Sequence, residues 1–262
     1  MIRVVLCLLF LPAIVFGAPK PLRMLMIGNS YTAQTKAEVK AFLDADPEVK
    51  LELVTHNPGG RFLEQHAKDP KVAKLLEGSG KWDVIVLQEQ SQLPAFAMKG
   101  DKGSLERLEG GAPVLIPKIL KAQPQARVMM FETWARHSGN DKANTLRHFD
   151  GDPEKMQEAL TKGYEYLVRR PDAWDYSKEV SIVPVGQAFA AWYAGDGKEE
   201  GMPSLHRPDN SHPSKAGAYL TGAMFYRAIT GRDPAKVSYD GGLQPDGTAE
   251  KLLKIAAAKN EG

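Results

Sequence analysis

Short apolar runs alternate with stretches of helical spacing along most of the chain. Leu25, Met26 and Ile27 lead a strand over Arg23–Ile27, and Thr32–Leu43 reads as a helix. Leu51–Thr55 is strand-like. Phe62–Leu76 has helical spacing at Phe62, Leu63, Ala67, Val72 and Leu75–Leu76, with Pro70 as a point of interruption. Three runs, WDVIVLQ, RVMMFETWA and VSIVPVGQAF, are continuous rather than alternating, as strands covered on both faces are. Asp152–Arg169 predicts a strong helix, with Asp152 at its N-cap and Pro153 in its first turn. A last helix, SKAGAYLTGAMFYRAIT, is capped by Ser214 and ends at Gly231. Met98–Gly111, Arg136–Gly151 and Ala194–Asn210 read as long loops, which in compact domains usually cover or line a site. Strand–helix alternation of this kind predicts a single α/β domain with a mostly parallel sheet over residues 19–262.

The first residues break this pattern. MIRVVLCLLFLPAIVFGAPKP has one arginine, an apolar run from Val4 to Phe16, and then Gly17–Ala18. That is the layout of a signal peptide over residues 1–18, cleaved after Ala18, and the run is shorter than the ~20 residues that span a bilayer; the alternative reading is an uncleaved N-terminal anchor. The expected location is therefore secreted or periplasmic, without stable membrane insertion after cleavage. The only cysteine, Cys7, falls in this segment, so a chain starting at Pro19 has neither thiol nor disulfide chemistry. Formal net charge is +2, and no block of Lys or Arg predicts a nucleic-acid partner.

In an open parallel sheet, ligands bind beyond the carboxyl ends of the strands. Those ends carry Gly28-Asn29-Ser30, His56-Asn57-Pro58-Gly59-Gly60, Gln88-Glu89-Gln90-Ser91 and Glu132-Thr133-Trp134, and the last helix is preceded by RPDNSHPSKAG. Serine catalysis needs a base beside the hydroxyl, an acceptor that orients the base, and fixed donors for the oxyanion. Ser30 sits where strand gives way to helix. Asp209 and His212 are three apart, and Pro213 pushes His212 toward extended geometry. Gly59–Gly60 lets backbone approach a ligand, and Gln88 and Gln90 offer amide donors. Trp134 after its strand can form a wall for a sugar ring, and His56 can line the site. His206, Asp209 and His212 lack a fourth ligand at motif spacing, so neither metal nor cofactor is expected.

IGNS after the first strand, glycine after the second, an amide-bearing turn after the third and D-x-x-H-P near the C-terminus together resemble the SGNH, or GDSL-type, hydrolase family, in order and over nearly the whole mature chain. The phrases VLQEQSQLP, TWA and DNSHPSKAGAYL resemble an exported bacterial branch of that family whose substrates are poorly defined. The resemblance implies a flavodoxin-like three-layer α/β/α sandwich with a five-stranded sheet and no metal. It implies Ser30 as nucleophile, Asp209 and His212 as the rest of a triad, and the N–H groups of Ser30 and Gly60 or Gly59 as oxyanion donors. Two positions depart from the family pattern. Asn29 replaces the aspartate before the serine, and Gln88-Glu89-Gln90 replaces a glycine-led turn carrying asparagine, with either glutamine able to reach the oxyanion. The function expected is an exported serine esterase that deacylates, or specifically deacetylates, a carbohydrate or small ester. The competing class is a non-catalytic glycan-binding protein on the same fold. No feature sets an oligomeric state.

Overall fold

The computed structural model describes residues 20–78, 80–137, 144–168, 174, 176, 179–244 and 246–258. The expected signal peptide, residues 1–18, lies outside them, as do residues 138–143 of one expected loop. Five parallel strands form a sheet in the order β2-β1-β3-β4-β5. They are β1 (Lys20–Ile27), β2 (Val49–His56), β3 (Val84–Leu87), β4 (Arg127–Phe131) and β5 (Ser181–Val183). Parallel register sets Met26 against Thr55 on one side and Val86 on the other, so β1 is an interior strand between β2 and β3.

Side chains on a strand alternate between faces, and the two faces collect different helices. Met24, Met26, Val84, Val86, Met129 and Phe131 meet α1 (Ser30–Asp44), α8 (Val185–Ala194), α9 (Lys215–Thr230) and α10 (Thr248–Ala258). Leu25, Ile27, Ile85, Leu87, Val128 and Met130 face the other layer. It holds α2 (Leu63–His66), α3 (Pro70–Glu77), α4 (Leu93–Met98), α5 (Lys102–Glu109), α6 (Ala112–Ala122) and α7 (Pro153–Val168). This is a three-layer α/β/α sandwich. Because β1 leads to β2 on one side and β3 lies on the other, the chain reverses direction across the sheet at β1/β3, the point where open parallel sheets bind ligands at their strand ends.

Phe62–Leu76 divides into α2 and α3 at the expected interruption, since Pro70 opens a new helix whose N-cap Asp69 accepts from the Lys71 N–H. Two other expectations change. VSIVPVGQAF is a strand only over Ser181–Val183: Pro184 ends it, and Val185 begins α8. Met98–Gly111 is not a long loop, because Asp101 caps α5 there. Among the described residues, no helix is long and apolar enough to cross a membrane.

Candidate active site

β1 ends at Ile27, and Gly28 follows with no room for a side chain: a Cβ would sit 2.6 Å from Gln88 Oε1 and 2.3 Å from Thr32 Oγ1. The close approach is used. Gln88 Oε1 accepts from the Asn29 N–H at 2.9 Å and from the Thr32 hydroxyl at 3.0 Å, which ties the end of β3 to the first turn of α1. Asn29 is the N-cap of α1. Its Oδ1 accepts from the Tyr31 N–H, and its Nδ2 donates to the Arg61 carbonyl at 3.0 Å. An aspartate could not make the second bond, so the amide at position 29 has a physical use: it clamps the Gly59-Gly60-Arg61 loop to the serine turn. Gly60 has φ +67 and is exposed, with its neighbour Arg61 held by this clamp.

Ser30 is the first residue of α1 and is partly exposed. Its Oγ lies 3.0 Å from His212 Nε2, from the opposite end of the chain. The other ring nitrogen, Nδ1, lies 2.7 Å from Asp209 Oδ2. Asp209 Oδ1 accepts from the backbone N–H groups of Ser211 and His212, at 3.0 and 2.9 Å. Burial pushes the Asp209 carboxyl up, but the bonds from the His212 ring and from these two amides outweigh it and hold its pKa at about 2. At neutral pH Asp209 is thus an anion that accepts from Nδ1–H, leaving the Nε2 lone pair toward Ser30.

The loop carrying these residues is a small antiparallel excursion. His206 bridges Pro213, Arg207 N–H donates to the His212 carbonyl, and Asn210 takes a left-handed φ of +54, which asparagine tolerates. Trp134 Nε1 donates to the Ser211 carbonyl at 2.9 Å, and Tyr31 shares a hydrogen bond with the Ser211 hydroxyl. Arg136, buried, donates to the Tyr31 and Ser91 hydroxyls. Sequence reasoning missed Tyr31, Ser211 and Arg136 as supports. Only the position of Tyr31 beside the serine hinted at it.

Several expected residues have other partners. Gln88 is fully buried, with its Oε1 on Asn29 and Thr32 and its Nε2 donating to the Glu89 carbonyl, so its amide supports the turn. Gln90 is half-buried. Its Oε1 accepts from the Gln92 and Leu93 N–H groups at the start of α4, and its Nε2 takes no part in these bonds. Trp134 cannot be a sugar platform, because it is fully buried and stacked on Phe189 at 4.2 Å and on Tyr31 at 4.8 Å. His56 faces Asp69 at 3.0 Å, on the β2 side of the site. His206 has both ring nitrogens engaged, with Tyr193 and with the Ala135 carbonyl, so it does not join Asp209 and His212 as a metal ligand.

A sheet of order 2-1-3-4-5 with serine after β1 and the D-x-x-H loop before α9 has the architecture of the SGNH hydrolases. Solved structures share it. A DUF4886 family protein from Bacteroides uniformis superposes with a TM-score of 0.74 at 17% identity, covering 91% of this chain and 94% of that one. A protein from Slackia heliotrinireducens, itself assigned provisionally to the SGNH hydrolases, gives 0.55 at 22% identity over 79% and 98% of the two chains. A variant of an acetyl-xylooligosaccharide esterase from a Geobacillus gives 0.51 at 16% identity over 81% and 96%. No family model and no curated protein matches the sequence. The chain has the SGNH hydrolase fold.

Proposed function

We propose that this protein is an exported serine ester hydrolase that works through an acyl-enzyme. The observation that carries the proposal is the hydrogen-bonded line Ser30 Oγ–His212 Nε2 and His212 Nδ1–Asp209, assembled from residues about 180 positions apart. His212 takes the Ser30 proton at Nε2 as Oγ attacks the ester carbonyl. Asp209 keeps the ring in the required tautomer and stabilises the imidazolium that forms. The carbonyl oxygen gains negative charge and is met by the N–H of Ser30, at the positive end of α1, and by that of Gly60 or Gly59. His212 returns the proton to the leaving alcohol. Water, deprotonated by the same nitrogen, then releases the acid.

The substrate class is an acyl group, acetyl first, on a carbohydrate. The reading is supported by the signal-like N-terminus, and by analogy with the esterase fold neighbour, an associational argument weaker than the triad geometry. The test is turnover of p-nitrophenyl acetate, then acetate release from acetylated oligosaccharides, by wild type and Ser30→Ala. Activity that vanishes in Ser30→Ala supports the reading. Oligosaccharide binding with no turnover by wild type would make it a non-catalytic glycan-binding protein instead.

A further inference from the structure

Beside the serine turn, on the β2 side, three side chains outside the catalytic line converge. His56 ends β2, His66 ends α2 and Asp69 caps α3. One potential ligating atom from each lies within 4.8 Å of the others. The two imidazoles meet edge to face, with centroids 5.3 Å apart. His66 is 1% exposed. Its Nε2–H donates to the Gly28 carbonyl at 2.9 Å, which leaves a lone pair on Nδ1, and that buried nitrogen has no hydrogen-bond partner. A buried acceptor without a donor is costly and calls for an explanation. A histidine with one nitrogen fixed on a backbone carbonyl and the other bare has the arrangement that metal-ligating histidines adopt.

We propose that His56, His66 and Asp69 bind a divalent ion of the zinc class, with Nδ1 of His66 as the buried ligand. Two imidazoles and a carboxylate are a donor set for Zn2+, Co2+ or Ni2+ rather than for Mg2+ or Ca2+. Tetrahedral donors at ~2.0 Å from an ion sit about 3.3 Å apart, so small side-chain rotations close the set. His66 and Asp69 also border a cavity of about 430 Å3, which provides an entry path. His56 Nε2, which faces Asp69 Oδ2 at 3.0 Å, must present a lone pair to the ion, as it does in the Nδ1–H tautomer.

One group opposes the ion. Arg61 Nη1 bonds Asp69 Oδ2 and is about one-third exposed, so it must swing into solvent when the metal binds. Lys118, which lines the same cavity, already donates to the Ala67 carbonyl. The Arg61 competition gives the site a signature. Because His66 holds the Gly28 carbonyl two residues before Ser30, the ion would brace the serine turn without touching substrate. The inference does not depend on the catalytic reading.

The test uses tag-free, chelator-stripped protein titrated with Co2+, followed by visible absorption, and with Zn2+, followed by calorimetry and thermal shift. About one equivalent per chain is expected. His56→Gln and His66→Ala should each weaken binding ~10-fold or more, a loss of the size ligand-shell changes produce, and Arg61→Gln should tighten it several-fold. His56→Gln and Arg61→Gln lie at partly exposed positions and keep the test valid if His66→Ala fails to fold. Absence of a cobalt band and of zinc heat in both wild type and Arg61→Gln overturns the proposal. So does binding whose affinity is unchanged in His56→Gln.

Discussion

Replacing Gln88 by methionine separates two roles that the sequence could not tell apart. Methionine keeps the volume and removes the amide. Gln88 is fully buried, and the change strands the Asn29 N–H, the Thr32 hydroxyl and the Glu89 carbonyl. The Thr32 hydroxyl can rotate to another acceptor, but the backbone N–H of Asn29 cannot. At about 1–3 kcal/mol for each of the two buried groups left unpaired, the total comes to roughly 2–6 kcal/mol. For a domain of this size, 1 kcal/mol moves Tm by about 2–4 °C, so Tm should fall by roughly 4–24 °C. Ser30 is next to the stranded amide, and a misplacement near 1 Å costs about 10²-fold in rate. The assay is thermal unfolding beside kcat for p-nitrophenyl acetate, with Gln90→Ala in parallel. Gln90 Oε1 accepts from the Gln92 and Leu93 N–H groups at the start of α4, so its loss should cost only about 1 kcal/mol. A Gln88→Met protein with wild-type Tm and a kcat down by 10²–10³ would refute the reasoning and make Gln88 an oxyanion donor. If Gln90→Ala alone loses that much kcat with Tm intact, Gln90 Nε2 is the side-chain donor.

The remaining predictions concern the same turn and its neighbours. His212→Ala should lower kcat on the order of 10³-fold or more, and Asp209→Ala by less, since proton transfer needs the base while orientation has other supports; steady-state kinetics on both variants decides it. Asn29→Asp removes the donor to the Arg61 carbonyl and sets a carboxylate against it, so stability should fall by about 1–2 kcal/mol in chemical denaturation and kcat should fall with it. Glu89 is fully buried, and burial pushes its pKa up to about 7, against the two backbone N–H bonds it accepts. A folded pKa raised above the unfolded value gives stability that is full below about 4.3 and is lost as pH rises through about 7. Glu89→Gln should therefore flatten the pH profile, gaining about 3 kcal/mol on wild type between pH 4 and pH 8 in urea melts.

Much of this was legible in the sequence because strand ends carry short polar signatures. The apolar run to Ile27, the D-x-x-H-P spacing and Ser214 as a cap each translate into one local conformation, and the structure brings Ser30, His212 and Asp209 within hydrogen-bond reach. What was hidden depends on long-range partners. Nothing in GNS shows that Asn29 will clamp a loop 32 residues away, and nothing in LQEQ shows that Gln88 turns inward to Asn29. Trp134 after a strand looks like an exposed wall until Phe189 and Tyr31 cover it. α5 escaped notice because KGSLERLE has only two apolar positions, and His56, His66 and Asp69 are gathered only by the turns between β2 and α3.

If Ser30 is the nucleophile, an irreversible acyl-like probe is captured on its Oγ. Purified protein is treated with a fluorophosphonate, and the intact mass and the labelled peptide are read by mass spectrometry. One adduct per chain is expected, on Ser30, lost in Ser30→Ala and much slowed in His212→Ala. Stoichiometric labelling that persists in Ser30→Ala, or an adduct on another residue, would contradict Ser30 as the nucleophile.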